Sequence, residues 1–106
     1  MMERKDRKFF ETLPATLTIY RGYQHGKYRH KMGLSWTLSK EKAAWFAHRR
    51  KENGSPKVVV GTCKKADVYC YINGREEQEI IIDPAKVIGV RAVRAIGPSP
   101  FARGDE

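Results

Sequence analysis

The run Glu77-Gln78-Glu79-Ile80-Ile81-Ile82-Asp83-Pro84 constrains this chain more than any other stretch. Three consecutive β-branched residues favour a buried strand. Pro84 lacks a backbone N–H and so ends the ladder. If the strand begins by Glu77, alternation puts Glu77, Glu79 and Ile81 on one face and Gln78, Ile80 and Ile82 on the other. Two carboxylates then stand side by side at the entry of a core strand, where like charges raise each other's cost of ionising. Spacing leaves two readings open. One is an edge strand whose mouth is solvated; the other is a carboxylate pair aimed into a cleft.

A chain of 106 residues makes one domain, with a core over residues 14–96 and a tail over 97–106. No run approaches the roughly 20 apolar residues of a membrane span. The first eight residues are charged nearly throughout and contain no apolar segment, which excludes a signal peptide and predicts a cytoplasmic protein. Cys63 and Cys70 then read as free thiols. The net charge of +9 favours an acidic partner: nucleic acid, an acidic protein surface or a phosphate-bearing ligand. The same charge also serves solubility.

Along the chain, a short helix over residues 6–13 docks Phe9 and Phe10 and stops at Pro14. Residues 16–20 read as a strand, with Arg21 at its end before Gly22. Residues 24–32 form a basic loop interleaved with tyrosine, either a phosphate or nucleic-acid contact or a plain solvated loop. His25 and His30 lack metal-ligand spacing, and no metal is expected. Residues 34–38 make a short strand, and Ser39 caps a helix over 40–51. On that helix Ala43, Phe46 and Ala47 face the core. Trp45 lies on the other side between Lys42 and Arg49, as a partner patch or as a surface covered by the N-terminal segment. After a turn over 52–56, residues 58–60, 68–72, 77–82 and 86–96 are strands. Residues 64–67 make a hairpin-like connection, and Asn73-Gly74 makes a tight turn. The order predicts an α+β fold, mainly antiparallel, with its strands in two packed sheets and one or two helices.

Three separated pieces together resemble the ADP-ribosyltransferase superfamily, in its Arg–Ser–Glu class. They are Tyr20-Arg21-Gly22, Ser35-Trp36-Thr37 with the helix after it, and Glu77-Gln78-Glu79 leading into Ile80-Ile81-Ile82. The chain is also similar to a group of small bacterial and phage proteins that share this pattern. The resemblance spans residues 16–90. It implies that NAD is the substrate and that ADP-ribose is transferred to a protein, with arginine as the first choice of acceptor. It implies Glu79 as the catalytic carboxylate beneath the ribose and Glu77 as the group that orients or deprotonates the acceptor. Arg21 and Gly22 would hold the phosphates or ribose, Ser35 would orient Glu79, and Thr37 would support the strand. Tyr71 would pack on the acceptor or the nicotinamide, and Trp45, Lys42 and Arg49 would meet the partner. Two other functions stay open. One is a non-catalytic basic module of the same fold that docks on nucleic acid or an acidic protein. The other is a toxin that hydrolyses NAD without an acceptor.

Overall fold

The computed structural model describes residues 3–26, 32–49 and 54–94. The fold is α+β, with two helices and six antiparallel strands. The elements are α1 (Arg4–Glu11), β1 (Thr16–Gly26), β2 (Ser35–Thr37), α2 (Lys40–Arg49), β3 (Gly54–Lys64), β4 (Val68–Ile72), β5 (Glu79–Ile82) and β6 (Ile88–Val93). Hydrogen bonding runs continuously in the order β4-β5-β2-β1-β3-β6, so the strands form one sheet where the sequence suggested two.

That order forces the sheet to roll. Between β3 and β4 lie β1, β2 and β5, and four interstrand spacings of a flat sheet span about 19 Å. Yet β3 ends at Lys64 and β4 begins at Val68, a reach of at most roughly 15 Å of extended chain. The link is shorter still, because Lys65–Asp67 is a 3-10 turn. The two edges must therefore approach each other. Residues 64–67 are a cross-connection and not the hairpin expected from sequence. Lys65 extends the β1–β3 ladder and ties the link to the segment before β1: its N–H donates to the Ala15 carbonyl at 2.8 Å and its ammonium to the Leu13 carbonyl at 2.8 Å.

The alternating side chains of β1 divide the molecule. Leu17 and Ile19 join Trp36, Val59, Cys63, Tyr71, Ile80, Ile82 and Val87 in the larger core. Tyr20 and Gly22 face the other way, toward α2, whose Ala43, Ala44 and Ala47 are buried against Val58. The triple valine is buried on both faces because it serves both layers. Ser39 caps α2 as its sequence suggests, its hydroxyl accepting from the Lys42 N–H at 3.0 Å.

Several boundaries differ from the sequence reading. β1 extends through Gly26, so the first part of the expected basic loop is strand paired with Gly54, Ser55 and Pro56. A long partner strand outcompetes local turn preference there. His30, residues 50 and 51 of the expected helix, residues 95 and 96 of the expected last strand and the tail over 97–106 lie outside the described residues. β5 begins at Glu79, two residues later than expected. In β4 the register shifts between Val68 and Cys70, and such a bulge reverses the inside-outside order. Tyr69 is consequently exposed and Tyr71 buried, stacked against Phe9 and Phe10 of α1.

Burial pushes the Tyr71 phenol above its ordinary 10.0, with Asp6 adding to the rise and a hydrogen bond to Gln78 opposing it. Burial likewise raises the Cys63 thiol above its ordinary 9.0, with Asp67 contributing. Both groups hold their protons more tightly folded than unfolded. The stability they contribute is therefore complete below about pH 9 and is lost as pH rises through the raised values. Urea midpoints are expected to be level up to about pH 9 and to fall above it, and Tyr71→Phe should soften the fall above pH 10.

Candidate functional site

Strand register assembles the site. Tyr20 of β1 lies opposite Thr37 of β2, and Thr37 lies opposite Glu79 of β5. Ser35 shares Thr37's face, two positions along, and sits diagonal to Glu79, within reach of a long side chain. Tyr20, Gly22, Ser35, Thr37 and Glu79 thus all point to the α2 side of the sheet. There they line a cleft of about 240 Å³, closed by Gln24, Phe46 and Arg49 and shared by Arg21, Trp36 and Glu77.

The polar groups are tied together. Ser35 Oγ donates to Glu79 Oε2 at 2.5 Å, fixing the carboxylate in place. Arg21 Nη1 donates to the Ser35 carbonyl at 2.7 Å, so one residue of β2 is gripped by both charged groups. Desolvation by burial lowers the Arg21 guanidinium below its ordinary value, though arginine remains cationic at neutral pH. Gly33 passes over the guanidinium: a β-carbon there would lie 2.6 Å from Arg21 Nη2. The Gly33 carbonyl accepts from Trp36 Nε1 at 2.7 Å, which anchors this crossing to the core. Gln24 spends its amide on the Phe46 and Ala47 carbonyls, both at 2.9 Å, near the end of α2 where such carbonyls lack helical partners.

Glu77 reaches the cleft by a different route from the one alternation predicts. It precedes the strand, and its neighbours Glu76 and Gln78 have φ of 58° and 46°. Left-handed backbone at Gln78 turns the chain so that Glu77 and Glu79 both line the cleft although only Glu79 is in the strand. Thr37 Oγ1 donates to the Glu77 carbonyl at 2.7 Å, and the Leu38 N–H donates to the Gln78 carbonyl at 3.1 Å. Thr37 is buried, so its hydroxyl braces the loop and does not face a ligand directly. A second hollow lies on the other side of the carboxylates, lined by Ile72, Gly74, Arg75, Glu77 and Glu79.

The candidate residues sort as follows. Arg21, Gly22, Ser35, Thr37, Glu77 and Glu79 meet in one cleft. Gly22 has a packing role as well, since α2 sits directly on it. Tyr71 is not there: it is fully buried under α1, which contradicts a contact with acceptor or nicotinamide. Trp45 is exposed, with the Lys42 ammonium 5.2 Å and the Arg49 guanidinium 5.3 Å from its ring centroid. Arg49 belongs to both this patch and the cleft, so the two surfaces are contiguous. α1 packs on β4 and does not cover Trp45. Sequence reasoning had Gln24 only in the basic loop and Phe46 only on the core face of the helix, whereas Phe46 is half-buried and lines the cleft; neither they nor Gly33 were read as part of a site.

Among the described residues, no group of three His, Cys, Asp or Glu side chains could hold a metal ion, and no helix is long and apolar enough to cross a membrane. No family model, curated protein or solved structure matches the chain.

Proposed function

We propose that the chain is a mono-ADP-ribosyltransferase that takes ADP-ribose from NAD. The observation that carries this reading is the convergence of Arg21, the Ser35–Glu79 pair and Glu77 from three strands and a loop into one cleft. We read the rolled sheet as the two-sheet core of the superfamily that the motifs resemble.

The chemistry suits these groups. Breaking the bond between ribose C1′ and the nicotinamide nitrogen sends the electron pair to that nitrogen and leaves positive charge on the sugar. A carboxylate held beneath the ring stabilises that charge as it develops, which is the task assigned to Glu79. The acceptor nitrogen then bonds to C1′ and yields its proton to Glu77. Arginine is the first choice of acceptor. Arg21 would pair with a pyrophosphate oxygen or the neighbouring ribose. The cleft is smaller than the roughly 300–1,000 Å³ of pockets that enclose a drug-sized ligand, so it would take the nicotinamide riboside end of NAD while the rest extends over its mouth. The hollow beside Ile72 and Arg75 shares both carboxylates and would receive the acceptor. Trp45, Lys42 and Arg49 would meet the surface that presents it.

The test is incubation with biotinylated NAD and a cell lysate, read as protein-bound label and released nicotinamide. Neither product above the no-enzyme control would overturn the reading. Free ADP-ribose without labelled protein would replace transfer by hydrolysis. Arg21→Lys gives a second check. Lysine keeps the charge but loses the planar fork, and NAD affinity is expected to fall about tenfold, seen as a smaller NAD-dependent rise in melting temperature.

A further inference from the structure

We propose that Asp6, on the short N-terminal helix α1, is a positioning residue that holds the loop carrying Glu77 and Gln78 from behind. The kinetic part of this proposal rests on the transferase reading; the structural part does not.

Asp6 is the only charged residue buried among the described residues, and the only buried residue of α1. A carboxyl is costly to bury unless it is hydrogen-bonded, and an apolar side chain would cover the neighbouring tyrosine at less cost. What the carboxyl adds is an acceptor: Asp6 Oδ2 takes the Asn73 backbone N–H at 3.2 Å. Asn73 passes the constraint on. Its Oδ1 accepts from the Gln78 N–H at 3.0 Å, and its carbonyl accepts from the Glu76 N–H at 3.1 Å. Among the described residues those are the two non-glycine ones with left-handed backbone, a conformation that costs about 1–3 kcal/mol each and persists only when its surroundings enforce it.

The loop is thus gripped from two sides. In front, Thr37 and Leu38 bind the Glu77 and Gln78 carbonyls. Behind, a hollow of about 210 Å³ is lined by Lys5, Asp6, Phe9, Tyr71, Asn73 and Gln78 and shares no residue with the cleft. The hydrogen bond that the Gln78 side chain makes to the Tyr71 phenol oxygen lies on the same side. Releasing Asn73 frees the turn that aims Glu77, while Arg21 stays held by the Ser35 carbonyl and has no part in that chain of bonds.

The experiment compares Asp6→Ala and Asp6→Asn in the full chain by amide hydrogen exchange and by the kinetics of ADP-ribose transfer from biotinylated NAD to lysate protein. In Asp6→Ala the Asn73 and Gln78 amides are expected to exchange about tenfold faster, the effect of losing one hydrogen bond. kcat should fall by a similar factor with KM for NAD unchanged. Asp6→Asn keeps an acceptor oxygen and should restore both. Asn73→Ala, which leaves α1 intact, cuts the chain one link later and should speed exchange at Gln78 but not at Asn73. Unchanged exchange in Asp6→Ala, no rescue by asparagine, or a rise in KM matching the fall in kcat would each overturn the proposal. If the wild-type chain transfers no ADP-ribose, the transferase reading falls, and the exchange data alone decide the role of Asp6.

Discussion

Glu79→Gln is expected to lower nicotinamide release by about 10²–10³-fold without moving the melting temperature, the loss typical of removing one transition-state charge contact. Glutamine keeps the shape of the side chain, and its oxygen can still accept from the Ser35 hydroxyl now bonded to Glu79 Oε2. On the proposed reading, what disappears is negative charge at the point where the ribose becomes positive. Because the interaction strengthens only as that charge develops, the loss should fall on kcat and not on NAD binding. Arg21→Lys should show the reverse division. A Glu79→Gln protein that releases nicotinamide at the wild-type rate would remove Glu79 from the chemistry.

Gly22→Ala is expected to be strongly destabilising, more so than alanine at Gly33 or Gly61, where the nearest atoms belong to side chains. A β-carbon at this position would lie 1.9 Å from the Ala43 carbonyl oxygen and 2.8 Å from the Ala47 nitrogen. Both are backbone atoms of α2, so the clash is relieved only by moving the whole helix. Overpacking of this severity costs about 3 kcal/mol or more. For a domain of this size that corresponds to a fall in melting temperature of roughly 12–24 °C. α2 also carries Phe46 and Arg49 into the cleft, so protein that still folds should bind NAD weakly. A melting temperature within about 2 °C of wild type would mean that α2 rides further from the sheet than described.

The carboxylate stretch shows how much of the site could be read from the chain. Ile80 and Ile82 alternate inward and Glu79 lies opposite their face, because a strand with one buried side has little choice of register. Ser39 as a cap and the alanine face of α2 were equally legible, since both follow from rules acting over one or two turns. Glu77 was legible only in outcome. Its place in the cleft depends on left-handed backbone at Gln78, for which no glycine served as a flag. Tyr71 was misread because the bulge after Val68 leaves no mark in the sequence. The adjacency of β1, β2 and β5 pairs residues far apart in the chain, and alternation alone does not name a strand's neighbours. The motif resemblance suggested that Arg21, Ser35 and Glu79 belong together; the pairing of Ser35 with Ile81 and of Thr37 with Glu79 supplies the geometry.

The rolled sheet has a consequence for how the cleft comes into being. The three strands that line it are pinned by contacts between residues roughly 15–45 positions apart, and the end of β3 pairs back with the start of β1. Such pairings repay their loop-closure entropy late, and proteins dominated by them fold slowly and cooperatively. No half of the chain contains Arg21, Ser35 and Glu79 in contact. A chain emerging residue by residue therefore carries no working cleft until β5 has been made and inserted beside β2. On the proposed reading, competence belongs to the finished sheet and waits for the strand that carries the carboxylate.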